Sequence, residues 1–118
     1  MNIVSIITPV DVNRIDYLED AARSISLLDI PSSYRIQWCL QIDGKRCLEV
    51  EKLVNYLRKK LYNSLNYDVL DVESNTYSVG AAAARNLAAS RAKGTILKML
   101  DADDMLSKNC LKKRIINI

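Results

Sequence analysis

Short β-branched runs alternate with stretches of helical periodicity along this chain, and that alternation leaves few folds open. Ile3 to Thr8 (IVSIIT) is apolar at nearly every position, the pattern of a strand covered on both faces. Pro9 is expected to end it. Asp16 then stands as a helix N-cap with Glu19 three residues on, and Leu18, Ala21, Ala22, Ile25 and Leu28 recur at helical spacing. Pro31-Ser32-Ser33 is a turn cluster, and residues 35–42 (RIQWCLQI) read as a second strand that stops at Asp43-Gly44. Val50, Leu53, Val54, Leu57 and Leu61 mark one face of a second helix. Residues 67–72 (YDVLDV) read as a third strand, followed by a polar loop, ESNTYS. VGAAAARNLAASRAKG is an alanine-rich helix for which Gly94 supplies the stop. Residues 95–100 (TILKML) form the fourth strand, and Ser107 can cap a last helix from about Lys108 onward.

The predicted order is therefore strand and helix four times over, in one domain spanning 1–118 without repeats or a linker. Such an order implies an α/β fold with a parallel sheet and right-handed crossovers. Ligands of these sheets bind outside the carboxyl ends of the strands. Asp43 ends the second strand, and Asp101, Asp103 and Asp104 follow the fourth, so the polar groups gather on the edge where a ligand belongs.

Composition removes several function classes. The net charge of +3 is too weak to argue for nucleic acid, and the clusters Arg58-Lys59-Lys60 and Lys112-Lys113-Arg114 read as solvated helix faces. With no histidine, histidine-activated nucleophiles and most zinc sites are excluded. Cys39, Cys47 and Cys110 lack a CxxC spacing and read as small apolar residues in a reducing compartment. No run reaches the length of a membrane span and the N-terminus lacks a signal-peptide pattern, so the expected location is cytoplasmic, or peripheral at the inner membrane face.

Three carboxylates within four positions, Asp101, Asp103 and Asp104, repel one another unless something positive neutralises them. The Asp-x-Asp spacing suits a hard cation such as Mg²⁺ or Mn²⁺, which takes oxygen ligands from one or two carboxylates and from substrate phosphates. On spacing alone it equally suits a polar turn in which one aspartate caps the next helix. Aspartate phosphotransfer would want an aspartate where the chain has Thr8-Pro9, and a nucleotidylyltransferase would want a glycine-rich loop after the first strand.

Three blocks, VSIITPVDVNRIDYLEDAARSI, QWCLQIDG and VGAAAARNLAASRAKGTILKMLDADDML, together resemble the successive blocks of family 2 glycosyltransferases. The resemblance covers nearly the whole chain, and its third block is the most specific. It implies a Rossmann-like GT-A fold with strand order 3-2-1-4, helices on both faces, and a nucleotide-diphospho-sugar donor, UDP-sugars being the first choice. Asp101 and Asp103 match the Asp-x-Asp motif: Asp103 would hold Mn²⁺ or Mg²⁺ against the donor diphosphate, and Asp101 would face the ribose or a metal-bound water. Asp43 matches the second acidic residue of the family's Asp-Asp-Gly block and would accept a hydrogen bond from the base. Pro9 and Val10 match the loop after the first strand that packs along the nucleotide. Arg85 reaches the same cleft or, equally, pairs with a loop carboxylate.

Two departures qualify this picture. Ile42 stands where the family has the first acidic residue of its pair. The chain ends at Ile118, whereas family members continue for a comparable length through the acceptor site and the carboxylate that serves as general base. The expectation is thus a donor-binding half with no assignable catalytic base, inactive alone, whose acceptor is a glycan, a lipid-linked or a small molecule. The alternative is a non-catalytic nucleotide-binding or interaction module. Leu111, Ile115, Ile116 and Ile118 leave apolar surface in want of a cover, for which a second copy of the chain is one candidate.

Overall fold

The computed structural model describes residues 2–11, 16–31, 33–45, 47–61, 67–74 and 80–101. Its elements are β1 (Asn2–Val10), α1 (Leu18–Ser26), β2 (Tyr34–Ile42), α2 (Leu48–Leu61), β3 (Tyr67–Ser74), α3 (Ala81–Ala89) and β4 (Ile96–Met99). The helix expected after Ser107, with Cys110 and the basic and apolar residues around it, lies outside the described residues.

The strands form one sheet in the order β3-β2-β1-β4, and every neighbouring pair is parallel. β1 and β2 are buried along almost their whole length, so their side chains divide by the two-residue period into two packed faces. On one face Val4, Ile6 and Val10 join Ile36, Trp38, Leu40 and Ile42 in a core completed by α1 (Leu18, Ala21, Ala22, Ile25) and α2 (Val50, Val54, Leu57). On the other, Ile7 and Cys39 cluster with Ala88 of α3. Alanine suits that position, because a short side chain lets the helix backbone lie close to the sheet. Helices thus cover both faces. Among the described residues no helix is long and apolar enough to cross a membrane.

Three local expectations are corrected. Pro9 does not end β1: the strand continues through Val10, with Pro9 opposite Gln41. The Ile7 carbonyl accepts from the Leu100 amide and the Val10 carbonyl from the Asp43 amide, so alternation turns Pro9 toward the β4 side. β4 pairs with β1 only from Val4 to Ile7, so the missing N–H falls where that ladder ends and leaves the pairing with β2 intact. Asp16 is not the cap of α1: Tyr17 occupies that position and makes no side-chain capping bond. Nor does Gly94 stop α3, which ends at Ala89 with Ser90 at its C-cap. A Cβ on Gly94 would stand 2.4 Å from the Ile3 carbonyl oxygen and 2.9 Å from the Ser5 amide nitrogen. Close approach to β1, rather than a helix end, requires glycine there.

One buried hydrogen bond joins the two central strands inside the main core. The Trp38 indole Nε1–H donates to Thr8 Oγ1 at 2.8 Å, with both residues fully buried. Thr8→Val keeps the shape but leaves the indole N–H without its acceptor, at an expected cost of about 1–3 kcal/mol. Urea unfolding should show a lower midpoint with an unchanged slope, and Thr8→Ser should recover most of the loss. An unmoved midpoint in Thr8→Val would show that the bond contributes nothing.

Candidate functional site

The carboxyl ends of β1, β2 and β4 lie along one edge of the sheet because the three strands are parallel and in the registers Thr8↔Leu40 and Ile7↔Met99. β2 leaves the sheet at Asp43, whose amide donates to the Val10 carbonyl at 2.9 Å and so keeps the first residue of the turn attached to β1. Gly44 follows with φ +132°, a backbone region that side chains disfavour. The Asp43 carboxylate accepts the Gly80 N–H through both oxygens, each at 3.2 Å. Gly80 is the N-cap residue of α3, with φ +91°, and its own residue type offers no capping side chain. A carboxylate from β2 therefore serves one of the orphan donors at the helix N-terminus.

β4 ends in the same neighbourhood. The Leu100 amide donates to the Ile7 carbonyl at 2.9 Å, which carries the ladder one residue past the strand, and Asp101 is the next residue. Arg85, in the second turn of α3, donates from Nη2 to Asp101 Oδ1 at 2.8 Å. The two side chains are 34% and 46% exposed. An ion pair this wet stabilises by at most about 1 kcal/mol, so its importance is the orientation it gives both groups rather than any stability it adds.

The structure thus brings Asp43 to the start of α3 and joins Arg85 to Asp101. Of the two expectations for Arg85, the pairing with a carboxylate is the one seen, and its partner is the residue just past Leu100. Pro9 and Val10 belong to the strand rather than to a loop. Val10 is fully buried in the main core, so what it can offer at the edge is backbone. Asp103 and Asp104 lie outside the described residues. Among the described residues no three acidic, histidine or cysteine side chains group closely enough to hold a metal alone. Asp101 nevertheless fits a hard divalent cation: it is an ionisable oxygen donor, half exposed at a strand end, and such ions complete their shell with water and substrate phosphate.

Several polar residues not expected from motifs also shape this region. Ser5, Gln37 and Gln41 point to the α3 face and are buried. The Arg91 guanidinium donates to the Leu40 carbonyl at 2.8 Å and to Gln41 Oε1, tying the end of α3 to the last residues of β2. The signal was the period-2 pattern of RIQWCLQI, in which Gln37, Cys39 and Gln41 fall on one face of a strand buried on both.

The profile of glycosyl transferase family 2 matches residues 5–116. The chain belongs to glycosyl transferase family 2. No curated protein matches this family 2 chain by sequence. Among solved structures it is similar to S. aureus TarS 1-349 in complex with UDP, at 23% identity and a TM-score of 0.74 over 98% of this chain and 31% of that one. It is also similar to S. aureus TarS, with 20% identity and a TM-score of 0.73 over 98% of this chain and 19% of that one. A third likeness is to the mannosyltransferase PcManGT from Pyrobaculum calidifontis in complex with GDP-Man and Mn²⁺, at 20% identity and a TM-score of 0.70 over 86% of this chain and 28% of that one. At these identities the likeness establishes the fold, which is of the GT-A type. The family 2 chain spans about a fifth to a third of the length of these structures.

Proposed function

We propose that this chain builds the donor side of a sugar transferase, holding a nucleotide-diphospho-sugar with the help of Mn²⁺ or Mg²⁺. The observation that carries the reading is that α3 engages carboxylates from two strand ends: Asp43 accepts from the amide of its N-cap residue Gly80, and Asp101 accepts from Arg85 in its second turn. Family membership and the UDP and GDP-Man carried by structural neighbours support it. Asp43 accepts from the base, Asp101 faces the ribose or a metal-bound water, and Asp103 supplies the anionic ligand for the cation. Pro9 and Val10 line the nucleotide with backbone, and Arg85 turns a guanidinium toward the diphosphate, where charge-assisted hydrogen bonds are strongest. A bound divalent cation supplies neutralisation of the leaving diphosphate. Transfer itself is displacement at the anomeric carbon by an acceptor hydroxyl that a carboxylate deprotonates, and no residue of this chain is assigned that last role.

Titration calorimetry with UDP and GDP tests the reading. Binding is expected to be weak, to need Mn²⁺ and to vanish with EDTA; binding indifferent to EDTA would refute the metal assignment. Arg85→Gln should weaken UDP binding by roughly tenfold, the worth of a hydrogen bond to a charged group, while UMP binding changes little. Equal losses for the two nucleotides would take Arg85 away from the β-phosphate.

A further inference from the structure

Ser5 and Gln37 sit in the middle of the two central strands, 0% and 2% exposed, and neither touches the donor edge. Their side chains face α3 and hold the backbone that runs from α3 to β4. Ser5 Oγ donates to Gln37 Oε1 at 2.7 Å, and the same oxygen accepts the Lys93 amide at 2.8 Å. Gln37 Nε2 donates to the Arg91 carbonyl at 3.2 Å, and the Gly94 amide donates to Ser5 Oγ at 2.9 Å. Two side chains thereby fix three of the four residues that precede Thr95.

β4 leans on such a clamp because its four residues specify their register only weakly. The strand has only four residues, ILKM, with Ile96 buried and Leu97 and Met99 39% and 50% exposed. Register normally follows from apolar residues on one face and polar ones on the other. Within the strand, a one-residue slip would turn Leu97 and Met99 toward the main core in place of Ile96 and Lys98, so only Leu100, buried in that core just past the strand, speaks for the observed register from the apolar pattern. Each residue of slip would carry Asp101 along the sheet by about 3.3 Å. That is more than the 2.8 Å contact with Arg85 can follow without rebuilding the pair.

We infer that Gln37, together with Ser5, is a positioning pair for the donor site: it sets the register of β4 on β1 and so the point at which Asp101 leaves the sheet. The inference rests on the donor-site reading given above. Its sharpest variant, Gln37→Met, leaves the Lys93 amide and the Ser5 hydroxyl without their buried acceptor and risks unfolding. Ser5→Ala, which removes only the Gly94 acceptor and one donor, is the milder companion. Ile25→Val, in the core under α1, serves as a control that lowers Tm without touching the clamp. Each is measured at a temperature where circular dichroism shows it folded.

Ser5→Ala and Gln37→Met are expected to weaken Mn²⁺-dependent UDP or GDP binding by about tenfold, the scale of a misplaced polar group, and to speed exchange of the Leu100 amide. Ile25→Val should lower Tm while leaving both readouts in place. If the clamp variants lose Tm as the control does yet keep the wild-type Kd, Gln37 and Ser5 are structural only and the inference is overturned. If the wild-type chain binds neither nucleotide with Mn²⁺, the donor-site reading itself fails and the positioning role falls with it.

Discussion

Asp103→Asn is expected to abolish Mn²⁺-dependent binding of a nucleoside diphosphate, while Asp104→Asn leaves most of it in place. The amide keeps the size of the side chain but removes the negative charge, and a neutral oxygen is a poor exchange for a carboxylate on a hard cation. Loss of a residue that merely orients a metal ligand costs 10–100-fold in affinity, so loss of a direct ligand should cost at least about a hundredfold. Asp104 falls outside the spaced pair Asp101 and Asp103, so the Asp-x-Asp assignment gives it no direct bond to the cation. The free Mn²⁺ signal in electron paramagnetic resonance reads the metal directly, and calorimetry with UDP reads the nucleotide. Equal losses in the two variants would count against the Asp-x-Asp assignment.

The second large effect falls on stability. In Gly94→Ala the new methyl would meet the Ile3 carbonyl oxygen at 2.4 Å, Ser5 Oγ at 2.7 Å and the Ser5 amide nitrogen at 2.9 Å. Two of these are backbone atoms of β1, the strand that pairs on both sides, and cannot swing aside as a flexible side chain would. Relief requires β4 to part from β1, with loss of the Gly94 bond to Ser5. Overpacking typically costs 1–3 kcal/mol, and rigid obstacles put this case at the upper end, about 3 kcal/mol. Gly44 and Gly80 make the comparison useful. Both have positive φ, but a Cβ on either meets nothing within 4 Å, so alanine there costs only backbone strain, about 1–3 kcal/mol, with no collision added. Thermal unfolding should rank Gly94→Ala lowest of the three, and a milder effect than Gly44→Ala would contradict the close approach.

What the sequence disclosed and what it hid divide by range. The alternation of strand and helix, the buried face of α1 and the placing of Asp43 and Asp101 at strand ends all follow from patterns that repeat within a few residues. The same local rules mislead at Pro9, Asp16 and Gly94. Proline does break a ladder, but only on the side where a partner strand lies, and that depends on β4, far along the chain. Gly94 looked like a helix stop because glycine often is one; its actual constraint is a strand 89 residues away in sequence. The bonds of Gln37 to Arg91 and Lys93 likewise span 54 and 56 residues. The glutamines of β2 signalled that something polar must lie over that face, without saying what.

The place of β4 in the sheet also orders the events of folding. β1 and β2 meet across about a third of the separation that divides Ser5 from Gly94, 32 residues against 89. The added loop-closure entropy is small, roughly 1 kcal/mol, because it grows only with the logarithm of length. During synthesis the difference matters more, since β1, α1 and β2 can collapse on one another before α3 exists, whereas β4 emerges after every other described element. Until it docks, the inner edge of β1 from Val4 to Ile7 is an unpaired template for any passing strand. The nascent chain is therefore most exposed to mispairing at the strand beside which its aspartates will finally stand.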